Sequence, residues 1–174
     1  GVIGVRLPME KVRAGIAEAG RRISRHAGAD AARAIMTTDT KPKEVAVEFP
    51  VGDATCVVGG MAKGAGMIAP NMATMLAFFT TDAAVEPALL RHALVAAVGE
   101  SLNRITVDGD TSTNDCAIVL ASGARPAPAI DREGPAFEAF RGALTEAGRQ
   151  LARMLVRDGE GVTRIAEVRV EGAR

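Results

Sequence analysis

The 174-residue sequence contains no tryptophan and no tyrosine, and only 3% of its residues are aromatic. Proteins that hold single-stranded nucleic acids stack bases on aromatic side chains, and this chain offers very few. Lysine plus arginine and aspartate plus glutamate both total 21, so no cationic excess is available to neutralise phosphates. We therefore expect neither a nucleic acid nor a membrane surface as a partner.

Long apolar runs are missing as well. No stretch approaches the roughly 18 residues needed to span a bilayer, and the opening GVIG segment does not have the pattern of a signal peptide. A cytosolic protein is the resulting expectation. The length predicts one domain with a core of useful size.

Metal-ligating residues are few. Cys56 and Cys116 lie far apart in apolar surroundings, which is typical of buried free thiols, and neither has the close-set partners of a zinc site. His26 and His92 stand in helix-like segments without a partner motif, so packing or solvent contact is their simplest role. No metal or other cofactor is predicted from these residues.

The periodicity of apolar residues predicts both helices and strands. Helical spacing predicts helices over 9–27, 30–36, 86–102 and 135–156. Alternation or short apolar runs predict strands over 44–49, 54–58, 75–80, 116–121 and 162–170, with a glycine-rich loop over 59–73 and a Pro/Ala linker over 123–134. Because strands and helices do not alternate strictly, an α+β or layered α/β sandwich is favoured over a doubly wound parallel sheet.

The segment 63–81, KGAGMIAPNMATMLAFFTT, sets a glycine- and proline-containing turn against an apolar run, with Thr74 at the join. N-terminal-nucleophile enzymes cut their own chain before such a residue and use the freed α-amine to activate it. The small Ala73 would leave its carbonyl open to attack, and the flanking glycines and Pro70 would hold a strained turn. The plainer interpretation is a threonine that merely begins a strand.

The α-amine supplies the base that this hypothesis needs. Its reference pKa is about 7.7–8.0, so it can accept a proton at neutral pH without help from a histidine. Self-cleavage would proceed by attack of Thr74 Oγ on the Ala73 carbonyl, formation of an ester, and release of the new N-terminus by water.

The glycine-rich stretch 59–66 does not fit a phosphate-binding loop, because Gly64 follows Lys63 where a serine or threonine is required. Lys63 is then either a solvated lysine or a cation that meets a carboxylate. Two further polar segments leave alternatives open. Loop 107–115, VDGDTSTND, suits a divalent cation or a network of Asx and Ser/Thr turns. Glu160 lies between two glycines just after a helix, where a solvent-facing side chain is ordinary.

Taken together, five segments follow the order and rough spacing of one family: GVIG (1–4), TTDTKPK (37–43), KGAGMIAPNMATMLAF (63–78), NRITVDGDTSTND (103–115) and DGEGVTR (158–164). The chain resembles the ornithine acetyltransferases of arginine biosynthesis, also called glutamate N-acetyltransferases. The resemblance runs from residue 1 to about residue 170.

The resemblance implies self-cleavage at the Ala73–Thr74 bond, with Thr74 as the nucleophile. Thr74 would take acetyl from N2-acetylornithine and pass it to glutamate through an acetyl-enzyme, and some family members also accept acetyl-CoA. The family has an aminopeptidase/acyltransferase type of α/β sandwich, and its cleaved α and β chains stay associated in higher assemblies. Substrate-contacting positions of the family match Thr40, Lys63, Thr74 and Glu160. Lys63 would meet an α-carboxylate and Glu160 an amine of ornithine.

One departure from the family concerns the oxyanion hole, a Thr-Gly pair of which only the glycine, Gly1, is present. An oxyanion donor contributes roughly 3–4 kcal/mol to lowering the barrier. Family members also extend further at both ends, so the chain resembles their central part, and low or no activity is expected of the 174 residues alone. Two alternatives remain, a related amidohydrolase or aminopeptidase that uses Thr74 and a non-catalytic fragment that serves assembly.

Overall fold

The computed structural model describes residues 4–71 and 73–172. The elements follow in the order α1 (Met9–Arg21), α2 (Gly28–Ala34), β1 (Lys43–Val51), β2 (Ala54–Lys63), β3 (Leu76–Thr81), α3 (Pro87–Gly99), a 3-10 turn (Leu102–Arg104), β4 (Cys116–Ala121) and α4 (Pro135–Arg157). The expected mixed α/β class is confirmed. Within the described ranges, no helix is long and apolar enough to cross a membrane.

The four strands form one sheet in the order β1-β2-β3-β4. The first three are antiparallel, whereas β3 and β4 run parallel, because α3 and the loop after it carry the chain back to the same edge. Strands β1 and β2 form a hairpin in which Val51 pairs with Ala54. The first residue of this two-residue turn, Gly52, has φ +58°, a conformation that glycine adopts without steric cost.

The core lies between the sheet and helices α3 and α4. Helix α4 buries an apolar stripe at helical spacing, and on it Phe140 packs against Phe49 of β1 with ring centroids 5.6 Å apart. Each such fully buried side chain stabilises the fold by about 1.5–3 kcal/mol. The opposite face of the sheet is more open, since Ile118 and Leu120 of β4 are 40% and 63% exposed.

Three of the predicted elements differ most from the structure. Residues 59–63 were predicted as loop but extend β2. The glycine at position 60 has a packing reason, since a Cβ there would lie 3.0 Å from Phe79 Cδ1 and 3.2 Å from Leu151 Cδ1. Glycine is needed there for close packing and does not end the strand. The predicted strand 162–170 is wrong, since this segment pairs with none of the described strands. The first predicted helix ends early, at Arg21 rather than Ala27.

Candidate active site

Three separate segments hold the loop that leads from β2 to β3. Thr74 N donates to Met67 O within this loop at 2.8 Å. From outside, Val107 N donates to Ile68 O at 3.0 Å, and Glu160 N donates to Ala65 O at 2.7 Å. Segment 37–43 adds a third contact, since Gly64 N donates to Asp39 Oδ1 at 2.8 Å. The loop that carries Thr74 therefore contacts three segments, 37–43, 105–108 and 158–160.

The hydroxyl of Thr74 is fully buried and has no hydrogen-bond partner among the described residues. An unsatisfied buried hydroxyl costs about 1–3 kcal/mol, so it calls for an explanation, of which a catalytic role is one. The carbonyl of Thr74 faces Gly64, at which a Cβ atom would lie 3.1 Å from that oxygen. Gly64 also has φ +150°, so only glycine fits beside Thr74 without strain.

Backbone strain before Thr74 lies on Met67 and Asn71, whose φ angles are 53° and 64°, rather than on the glycines and Pro70. A left-handed conformation costs roughly 1–2 kcal/mol for residues with a Cβ. Asp108 holds this turn, since its carboxylate accepts from Met67 N at 2.6 Å and from Ile68 N at 3.2 Å.

Asp108 also accepts from Asp110 N at 3.1 Å. Burial raises the pKa of the Asp108 carboxyl, but hydrogen bonds from backbone N–H groups, that of Met67 foremost, outweigh it and leave the pKa lowered. These contacts favour the turn-network interpretation of loop 107–115 over a cation site. In the part of the chain that the structure describes, no three metal-ligating side chains come together.

The residues predicted to contact substrate lie around the same loop. Lys63 ends β2, and its Nζ donates to Thr37 Oγ1 at 3.1 Å. The Glu160 carboxylate packs on the backbone of Gly66, where a Cβ would approach it to 3.2 Å. Thr40 is exposed, and its N–H donates to Asp158, the residue that follows α4. Gly1, which was predicted to belong to the oxyanion hole, lies outside the described residues.

A buried ion cluster that the sequence patterns did not reveal lies beneath these residues. Lys43 Nζ donates to Asp39 Oδ1 at 2.6 Å, to Asp158 Oδ2 at 2.7 Å and to Lys41 O at 3.3 Å. The side chains of Lys43, Asp39 and Asp158 are only 2%, 0% and 10% exposed. All three ammonium protons of Lys43 are therefore satisfied. We call these three residues the carboxylate clamp.

Backbone donors complete the clamp. Asp39 accepts from Gly64 N at 2.8 Å and from Thr37 N at 3.2 Å. Burial raises the pKa of Asp39, but these donors and Lys43 leave it lowered. Burial likewise raises the pKa of Asp158, and hydrogen bonds from Lys43 and Thr40 more than offset this and bring it to about 2.

We expect the clamp to make folding stability sensitive to acid. Because the pKa of Asp158 falls from 3.8 to about 2 on folding, the resulting stability is fully present above pH 4 and is lost as the pH falls through 2. The contribution is about 2 kcal/mol at neutral pH. Urea unfolding of wild type and Asp158→Asn from pH 6 to pH 2 measures it. The stability gap between the two proteins should close toward pH 2, and a gap independent of pH contradicts this assignment.

Two cavities lie beside these segments rather than at Thr74. One of about 190 Å³ is lined by Lys43 and Asp158 of the clamp together with Lys41, Pro42, Met154 and Arg157. A larger one of about 740 Å³ lies between α4, the end of α3 and the extended segment 165–170. Neither cavity is lined by Thr74, Lys63 or Glu160.

Comparison with known proteins places this site in a family. The model of the ArgJ family matches residues 1–174. The chain is 56% identical over 173 residues to "Arginine biosynthesis bifunctional protein ArgJ" of Symbiobacterium thermophilum, covering 99% of this chain and 43% of that protein. It is 47% identical over 175 residues to "Arginine biosynthesis bifunctional protein ArgJ, mitochondrial" of Schizosaccharomyces japonicus, covering 99% of this chain and 40% of that protein.

Among solved structures, the crystal structure of the Arginine biosynthesis bifunctional protein argJ from Bacillus halodurans is similar, with 47% sequence identity and a TM-score of 0.47 over 50% of this chain and 41% of that chain. The chain spans less than half the length of the relatives cited above. Because the family model matches from the first residue to the last, the chain belongs to the ArgJ family.

Proposed function

We propose that this chain carries the nucleophile-bearing part of an acetyltransferase of arginine biosynthesis, which moves acetyl from N2-acetylornithine to glutamate through acetyl-Thr74. The observation that carries the proposal is the Thr74 hydroxyl at the end of a strained turn, which is buried and has no hydrogen-bond partner within residues 4–71 and 73–172. The curated relatives are named as bifunctional proteins of arginine biosynthesis, which supports the assignment to this pathway.

The first step is self-cleavage. Thr74 Oγ attacks the Ala73 carbonyl, the amide C–N bond breaks, and the Ala73 acyl group moves from nitrogen to oxygen as an ester. Water hydrolyses the ester, which leaves a carboxylate on Ala73 and a free α-amine on Thr74. Strain at Met67 and Asn71 favours this step if cleavage relaxes the turn.

The cleaved pieces would remain in one sheet. Strand β2 lies before the cleavage point and β3 after it, and the two pair antiparallel from Val58↔Thr81 to Lys63↔Leu76. Lys63 and Glu160 also lie on different pieces, yet both segments contact the loop before Thr74. The site therefore needs both chains, which supports lasting association of residues 1–73 with the rest.

The freed amine acts as the base in acetyl transfer. The Thr74 nitrogen already donates to Met67 O at 2.8 Å, so this acceptor orients the amine and leaves its lone pair for the Oγ proton. Thr74 Oγ attacks the acetyl carbonyl of N2-acetylornithine, and the proton passes to the departing ornithine amine. The glutamate amine then attacks acetyl-Thr74 and restores the hydroxyl. Lys63 would bind the α-carboxylate and Glu160 an ornithine amine.

Product identity tests this function in the longest natural polypeptide that contains the sequence, here called the parent polypeptide. Supplied with N2-acetylornithine and glutamate, it should release ornithine and N-acetylglutamate. Acetate in place of N-acetylglutamate would indicate a hydrolase that uses the same Thr74. A parallel reaction with acetyl-CoA and glutamate tests the second donor. The 174 residues alone should show little or no turnover, because they cover only 43% and 40% of the two relatives' lengths.

We expect Gly66→Ala to disturb substrate binding without disturbing the fold. The new Cβ would lie 3.2 Å from Glu160 Cδ and Oε2, and the exposed Glu160 side chain can swing away. Losing one charged hydrogen bond should raise the KM for N2-acetylornithine about ten- to a hundredfold. Steady-state kinetics of the parent polypeptide measures this. Gly15→Ala, at which a Cβ meets nothing within 4 Å, is the matched control. An unchanged KM would remove Glu160 from the substrate site.

A further inference from the structure

We propose that the carboxylate clamp, formed by Asp39, Lys43 and Asp158, positions the substrate-binding side chains and makes the Thr40 hydroxyl a hydrogen-bond acceptor toward a ligand. The inference rests on the proposed function and deepens it. None of the three clamp residues is among the substrate-contacting positions implied by the family resemblance. They would act through neighbours and not by touching substrate themselves.

The clamp joins all three segments that carry the predicted substrate-binding residues. Asp39 bonds to the N–H of Gly64, which follows Lys63, at 2.8 Å. Asp158 bonds to the N–H of Thr40 at 2.9 Å and lies two residues before Glu160. Lys43 connects the two carboxylates. A single buried cation therefore sets the relative placement of segments separated by up to 118 positions in sequence.

Burial makes this arrangement rigid. With side chains 0–10% exposed, the three charges have little access to water and depend on one another for compensation. The Asp39–Lys43 pair spans only four residues, whereas the Asp158–Lys43 pair crosses from the end of α4 to the start of β1. A shift of either element would break a charged hydrogen bond, so the site geometry is tied to this contact.

The clamp also decides what Thr40 offers to a ligand. Thr40 Oγ1 donates its only proton to Asp158 Oδ1, a carboxylate that can only accept. The lone pairs of Thr40 Oγ1 are then its remaining capacity, and the side chain is exposed. Thr40 would thus accept from an N–H group of the substrate, an amine or an amide, and would not bind its carboxylate. Lys63, which is a donor, would bind the carboxylate of the substrate.

Asp158→Asn in the parent polypeptide tests the positioning role. An amide can turn its NH₂ group toward Thr40 and reverse the hydroxyl, so we expect the KM for N2-acetylornithine to rise about ten- to a hundredfold, with self-cleavage complete and kcat within about threefold of wild type. Asp82→Asn is the matched control, because Asp82 likewise accepts a backbone N–H, from Val57 at 2.8 Å, at the other end of the sheet. Asp82→Asn should leave KM unchanged.

Thr40→Ser, Thr40→Val and the double variant Asp158→Asn/Thr40→Val complete a cycle. The serine retains a hydroxyl and should raise KM less than the valine does. The double variant should be no worse than the poorer single variant, because both changes remove the same acceptor. Two results would show a structural role only. One is a KM increase in the double variant equal to the product of the two single increases. The other is an Asp158→Asn protein that loses kcat, cleavage and thermal stability together while its KM is unchanged. Wild type without any acetyl transfer would overturn the proposed function itself and this inference with it.

Discussion

Thr74→Ala should leave the polypeptide uncut and abolish acetyl transfer. The substitution removes the hydroxyl that attacks the Ala73 carbonyl and, after cleavage, the atom that would carry the acetyl group. We expect kcat/KM of the parent polypeptide to fall by at least about 10⁴-fold, as for the loss of a covalent nucleophile. Intact mass shows whether residues 1–73 separate from the rest, and wild type trapped with N2-acetylornithine should gain the mass of one acetyl group.

Thr80→Ala is the matched control, because Thr80 is an exposed threonine on β3 close to the cleavage point. It should cleave and turn over like wild type. Thr74→Ser retains a hydroxyl and should cleave, so the set separates loss of the nucleophile from loss of the fold. Cleavage of Thr74→Ala at the same bond would place the nucleophile elsewhere and end the mechanism proposed here.

The local elements were accessible from sequence because their patterns depend on neighbouring residues. The apolar spacing over 135–156 predicted α4 within one residue at its end, since one helix face is buried throughout. The same logic failed for β2, where Gly59 and Gly60 suggested a loop. Whether a glycine ends a strand or admits a close neighbour depends on Phe79 and Leu151, which come from other elements.

The alternation over 162–170 failed for a related reason. Alternating residues describe a strand only when a second strand supplies hydrogen bonds, and the described residues supply none to this segment. The alternating pattern therefore indicates a propensity for extended structure, and the tertiary surroundings determine whether a strand forms.

The candidate site divides in the same way. Thr74 and Lys63 lie inside continuous motifs, so their local sequence made them candidates and the family resemblance then implied their roles. The structure brings their segments together. Asp108 and the clamp were missed. Asp108 acts on a turn 40 and 41 residues earlier, and Asp158 acts on residues 115 to 118 positions earlier. An acid in a polar loop carries no local signal that it will be buried against a lysine.

We expect the loss of the clamp's cation to lower folding stability strongly. Lys43→Met keeps much of the side-chain volume but removes the cation between Asp39 and Asp158, which are 0% and 10% exposed. Leaving buried carboxylates without a counterion should lower the free energy of unfolding by about 3–5 kcal/mol at pH 7. Urea unfolding of the parent polypeptide measures this. Lys11→Met, on the exposed surface of α1, should change stability by less than about 0.5 kcal/mol.

Two further results separate charge from packing in the Lys43→Met protein. Its stability deficit should shrink below pH 4, because the uncompensated carboxylates of Asp39 and Asp158 take up protons that the wild-type pair resists. The triple variant Lys43→Met/Asp39→Asn/Asp158→Asn should recover part of the lost stability at pH 7, since it removes all three charges together. A stability deficit that stays constant with pH and persists in the triple variant would mean that Lys43 contributes by packing alone. The charges of the clamp would then not fix the positions of the site segments.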